Sequence, residues 1–92
     1  SELAVSTQVH HAVRFNLTSG QYSLVALENP ERLIKTVRLD PRLTFTESTL
    51  PQNTATFNAL GATLTPGTIT ITHTQGLTRI IQLRPSGYVR IQ

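Results

Sequence analysis

Three histidines, His10, His11 and His73, are the only imidazoles in this sequence, and imidazole is the group that serves most often as general base or metal ligand. His10 and His11 are adjacent, so on a strand they point to opposite faces and on a helix they diverge by about 100°. There is no His-x-His or His-x-x-x-His pair, and the spacing predicts surface or packing histidines with no metal site. A serine, His73 and Asp40 supply the residue types of a hydrolase triad, but no G-x-S-x-G elbow exposes a hydroxyl. The five carboxylates, Glu2, Glu28, Glu31, Asp40 and Glu47, are scattered, and no glycine-rich phosphate loop occurs. No catalytic residue and no cofactor are therefore expected, and the chain reads as something other than an enzyme. Asn16-Leu17-Thr18 fits the N-glycosylation acceptor pattern and equally fits a strand end.

Arginine is the one chemistry-bearing type that clusters. All five acids lie at or before Glu47, while Arg79, Arg84 and Arg90 are the only formal charges after Pro51. Arg84 and Arg90 flank Tyr88 near the C-terminus, and guanidiniums beside a phenol ring suit phosphate contact and base stacking. Arg79, Arg84, Tyr88 and Arg90 are thus candidate DNA-binding residues. The same arginines also fit a solvated sheet edge that discourages aggregation.

The elements that must carry these side chains are strands. The 92 residues fit one domain, with eight Lys+Arg against five Asp+Glu for a formal net charge of +3. Abundant Thr, Val, Ile and Leu favour a pleated surface over a helix. Without cysteine there is neither a disulfide nor a thiolate metal site, and no apolar run reaches the roughly 18 residues that cross a bilayer. The opening "SELAVSTQVHHA" is the exception, where Ser1 caps a short helix carrying Leu3, Val5 and Val9.

Beyond it, "AVRFNL" and "QYSLVAL" flank Thr18-Ser19-Gly20 as a hairpin with Val13, Phe15 and Leu17 on one face. Pro30 breaks the chain. "RLIKTVRL" places Leu33, Val37 and Leu39 on one side with Lys35 among them, and "LTFTE" follows with Leu43 and Phe45 sharing a face. Gly61, Gly67, Gly76 and Gly87 mark turns. For the closing meander, a three-residue loop at Pro85-Ser86-Gly87 sets Arg84 opposite Tyr88, Gln82 opposite Arg90, Leu83 opposite Val89 and Ile81 opposite Ile91. A loop of Thr74, Gln75 and Gly76 sets Ile69 opposite Ile81. The inner face is then Ile69, Ile71, Ile81, Leu83, Val89 and Ile91, which needs another layer to cover it, and the outer face carries threonines, Ile80, Gln82, Arg84, Tyr88 and Arg90.

"TFNALGATLTPGTITITHTQGLTRIIQLRPSGYVRI", with "RLDPRLTFTES" before it, resembles the C-terminal half of the minor pilins and pseudopilins of the GspH, FimT and ComGD kind. The shared features are a Phe strand followed by a Gly turn, "GTI" opening a hairpin, an Arg-bearing partner strand and a Gly-x-x-Arg ending, over roughly residues 32–92. The resemblance implies an α+β, mostly antiparallel β fold, a truncated type IV pilin-like fold in which residues 1–92 form a single domain. An apolar N-terminal helix would have been removed ahead of Ser1, and "SELAVSTQVHHA" would be its remnant, packed on the sheet and covering the inner face. It also implies other pilin or pseudopilin subunits as partners, a membrane attachment through that helix, and a cell-envelope location: inner membrane before assembly, periplasm or cell surface in a filament. Some FimT-like members take up DNA through a Gly-Arg-x-Arg ending. Gly87 and Arg90 match the ends of that pattern, Tyr88 stands where its first arginine would be, and Arg84 lies across the strand. A type II secretion pseudopilin without a nucleic-acid role, or an unrelated small β adhesin or capsid module, are the alternatives.

Overall fold

Eight strands build two four-stranded antiparallel sheets in the computed structural model, which describes residues 9–85 and 88–92. The first sheet has the order β3-β2-β1-β5, from β1 (His11–Asn16), β2 (Gln21–Ala26), β3 (Arg32–Arg38) and β5 (Thr54–Phe57). The second has the order β4-β6-β7-β8, from β4 (Leu43–Ser48), β6 (Gly67–His73), β7 (Thr78–Arg84) and β8 (Tyr88–Ile91). The chain thus leaves the first sheet for β4, returns for β5 beside β1, and ends as a meander.

This corrects the expectation of an α+β fold with a helix remnant on the sheet. Ser1–Gln8 lie outside the described residues, but Val9 and His10 are not helical and His11 already opens a strand. The reason is two-sided pairing: His11 lies opposite Ala26 on one side and Phe57 on the other, and Ala12 lies opposite Val25 and Thr56. Sheet partners on both flanks override the weak helix propensity of a Val- and His-containing segment. Among the described residues the fold is β throughout, apart from a single 3-10 turn at Pro51–Asn53.

The closing meander has the register that alternation demands. Ile69 opposes Ile81, Leu83 opposes Val89, Ile81 opposes Ile91 and Arg84 opposes Tyr88. Ile69 is fully buried, and Leu83 nearly so. Their cover comes from the same chain: Phe45 and Leu50 join them in the core, with Phe15, Leu17, Leu39 and Phe57 packed against it. The inner face is therefore roofed within the chain at Ile69 and Leu83, while Ile91 at the β8 edge stays 67% exposed.

The sheets meet through aromatic rings. Phe45 on β4 stands edge-on to Phe15 on β1 at a centroid distance of 5.4 Å and to Tyr22 on β2 at 6.4 Å. The molecule measures 51 × 26 × 19 Å. A seven-residue strand is about 23 Å long, so a 51 Å axis means that the sheets lie largely end to end, sharing only part of their faces. That shared part holds the core.

Two close details shape the join. Gly67 begins β6 at φ +153°, and a Cβ there would come within 2.6 Å of Leu50 Cδ2 and 3.3 Å of Leu50 Cα. Only glycine lets Leu50 plug the core at this point. The second is a β-bulge in β3, where Leu33 opposes Val25 while Lys35 opposes Leu24, leaving Ile34 as the extra residue. A bulge reverses the side on which later residues fall. Leu33 therefore does not share a face with Val37 as plain alternation predicts, and it remains 62% exposed.

Candidate functional site

Arg84 ends β7 on the outer face of the second sheet, where its Nη2 donates to Gln82 Oε1 at 3.2 Å. Gln92 Nε2 donates to the same oxygen at 2.7 Å. Gln82 is thus the bracket that lays Arg84 along the sheet. The Nε of Arg84 is buried and meets no acceptor among the described residues. The backbone of β8 brings Tyr88 opposite Arg84 and Arg90 opposite Gln82.

Arg79 does not join this group. It pairs with Ile71, which places it with Ile81 and Leu83 on the inner side, while Ile80, Gln82 and Arg84 alternate to the outer side. It is exposed at the rim, donating to the carbonyl oxygen of Thr78 at 3.1 Å. Three of the four candidate residues are therefore neighbours in the sheet, and the fourth is on the other face.

The remaining charges are mostly paired. Arg14 makes a two-pronged pair with Glu31, and Arg32 reaches Glu28 at 3.5 Å. Arg42 donates its backbone N–H and Nε to Asp40 Oδ1 at 2.9 and 3.0 Å and its Nη2 to Oδ2 at 2.9 Å. That guanidinium holds the Asp40 carboxyl well below the usual carboxylate range. Asp40 is thus engaged by Arg42, and the Nδ1 of His73 accepts from the Gln75 backbone at 3.0 Å. By contrast, Arg79 and Arg84 form no ion pair among the described residues.

Among the described residues no three His, Asp or Glu side chains gather to hold a metal. Gly61 and Gly76 take positive φ of 87° and 88° in their turns, and Gly87 lies outside the described residues.

A second surface was not singled out by the sequence. On the first sheet, Val13, Tyr22, Leu24, Lys35 and Val37 line an open hollow of about 250 Å³. The register explains it: Val13 opposes Leu24, Leu24 opposes Lys35 and Tyr22 opposes Val37, so all five share one face. The signal was present as alternation in β1, β2 and the Lys35–Val37 part of β3, and the bulge at Ile34 takes only Leu33 out of the row. The hollow continues the apolar face that begins at Phe15 and Tyr22, and within the described residues it is left uncovered.

No helix among the described residues is long and apolar enough to cross a membrane. No curated protein and no solved structure matches the chain. Residues 3–87 match the sequence model of one family, type II transport protein GspH, and this covers nearly the whole length. The chain therefore belongs to the type II transport protein GspH family and forms a pseudopilin-like domain of that cell-envelope secretion machinery.

Proposed function

We propose that this domain is a structural subunit, a pseudopilin or minor pilin, that works by packing against other subunits of a type II secretion or type IV pilus-like filament and performs no catalysis. The family match over residues 3–87 carries the reading. The hollow lined by Val13, Tyr22, Leu24 and Val37 supports it, because an uncovered apolar face beside a packed core is what a subunit keeps for a neighbour. In the full protein the reading includes attachment to the inner membrane before assembly and exposure in the periplasm or at the cell surface afterwards.

The test is assembly in the host cell. Leu24→Asp in the hollow is expected to abolish incorporation into the filament, whereas Leu33→Asp, exposed on the opposite face of the sheet, is expected to leave it intact. Normal incorporation of Leu24→Asp, in a protein shown to be folded, rules the hollow out as the packing surface.

A second reading, uptake of DNA during competence, is favoured by one observation: Arg84 faces outward without a carboxylate partner among the described residues, and the β8 backbone sets Tyr88 and Arg90 beside it. Removing one arginine that touches a phosphate lowers the slope of log K against log salt by about one. Arg84→Ala and Arg90→Ala are expected to flatten that slope. Undetectable binding at low salt, or unchanged binding in both variants, leaves a subunit without a nucleic-acid role.

A further inference from the structure

Between Glu47 and Arg79 no residue carries a formal charge, and the turn at the middle of this stretch displays a leucine. Leu60 is 89% exposed, the most exposed large apolar side chain among the described residues, and Leu64 and Pro66 beside it are on the surface too. Single surface leucines are ordinary. What sets this one apart is how firmly it is held. Asn58 Oδ1 accepts from the backbone N–H groups of Leu60 and Ala62 at 2.9 and 3.0 Å. The Asn58 N–H donates to the Ala62 carbonyl, and the Gly61 N–H donates to the Asn58 carbonyl, both at 2.9 Å. The returning chain is fixed in turn, with Leu64 N–H on the Thr56 carbonyl at 2.8 Å and Thr56 N–H on Thr65 Oγ1 at 2.9 Å. A backbone already fixed in such a turn adds little ordering cost when its side chain is buried by a partner.

We propose that this turn is a docking knob, anchored by Leu60, that seats in an apolar pocket on a neighbouring subunit of the filament; the identity of the partner rests on the subunit reading above. The absence of charge is what the desolvated centre of a protein interface requires. A membrane surface fits less well, because the turn has neither a flanking cation for lipid headgroups nor an aromatic ring to anchor at the interface, and one leucine partitions too weakly alone.

The experiment uses the full-length protein in its host, with the photo-crosslinking residue benzoylphenylalanine placed at position 60, and separately at position 24 in the hollow. The expected result is an adduct from position 60 with a subunit of the same filament, identified by mass. Leu60→Asp is expected to lower incorporation roughly tenfold or more while leaving the urea unfolding midpoint unchanged, since the side chain touches solvent. Asn58→Ala, which loosens the turn but keeps the leucine, is expected to give a partial loss. Subunit adducts from position 24 with none from position 60 overturn the knob and leave the subunit reading standing. No subunit adduct from either position overturns both. Adducts from position 60 with lipid alone, or normal incorporation of Leu60→Asp, also overturn the knob.

Discussion

Replacing Phe45 by alanine tests whether the two sheets are one folding unit. Phe45 is buried, and it is the ring of β4 that reaches both Phe15 and Tyr22 across the join. Phe→Ala in a core costs about 3–5 kcal/mol, which includes the cavity left behind and the edge-to-face ring packing that disappears with it. A domain of this length has a total stability of about 5–14 kcal/mol, so the variant is expected to lose between about a fifth and all of it. The melting midpoint should fall by about 12–40 °C, at about 4–8 °C per kcal/mol. Phe45→Leu keeps most of the volume and should cost about 1–1.5 kcal/mol. Urea unfolding followed by circular dichroism gives the loss, and amide exchange at β2 and β6 reports each sheet separately. If Phe45→Ala costs under about 1 kcal/mol, or if the two sheets of the wild type exchange with clearly different opening energies, then the aromatic join does not couple them and the core is not shared.

Gly67→Ala should destabilise by about 2 kcal/mol, because its Cβ would meet Leu50 at 2.6 Å in a backbone conformation that favours glycine; a neutral result in urea would mean that Leu50 can withdraw freely. Leu83→Ala should cost about 3 kcal/mol and Ile91→Ala under about 1, since the first is buried and the second 67% exposed, and equal costs would contradict the inner-face assignment. Asp40 has a depressed folded-state pKa through its bond to Arg42, so it contributes stability above the unfolded pKa of about 3.9 that is lost as the pH falls through the folded value. Asp40→Asn should therefore flatten the acid side of the stability profile below about pH 4, measured as unfolding midpoint against pH, and an unchanged slope would refute the link.

How much of this was legible in the sequence depended on the range of the interaction that decided it. The β6-β7-β8 meander could be read residue by residue, because a hairpin register is local: a three-residue loop at Thr74–Gly76 and period-two alternation leave one arrangement that keeps Ile69, Ile81 and Leu83 together. The same rule applied to Arg79 puts it on the face of Ile81, so its grouping with Arg84 failed on parity that was already visible. Bulges were not visible. Neither "LIK" in β3 nor "FTE" in β4 carries a glycine or other mark, yet each register shifts there, and with it the side on which Leu33 falls. The exchange of β4 and β5 between sheets was equally hidden, since alternation fixes which face is apolar but not which strand lies alongside.

That exchange decides what the domain can present to a partner. Because β4 crosses to the second sheet, Phe45 and Leu50 roof Ile69 and Leu83 from within the chain, and the apolar face left over is moved to the first sheet, at Val13, Tyr22, Leu24 and Val37. The outer face of the second sheet stays polar in a particular way: Thr46 bonds Thr72 at 3.0 Å, Thr49 bonds Thr68 at 3.2 Å and Thr72 approaches Thr78 at 3.4 Å, so these hydroxyls already have partners. Polar groups satisfied within a face cost little to cover, whereas the guanidinium of Arg84, which has no carboxylate partner among the described residues, is costly to cover further without a counter-charge. Contact with a neighbouring subunit is therefore easiest over the threonine rows and the hollow, and hardest at Arg84. The residues proposed for subunit packing and those proposed for phosphate contact are therefore different ones.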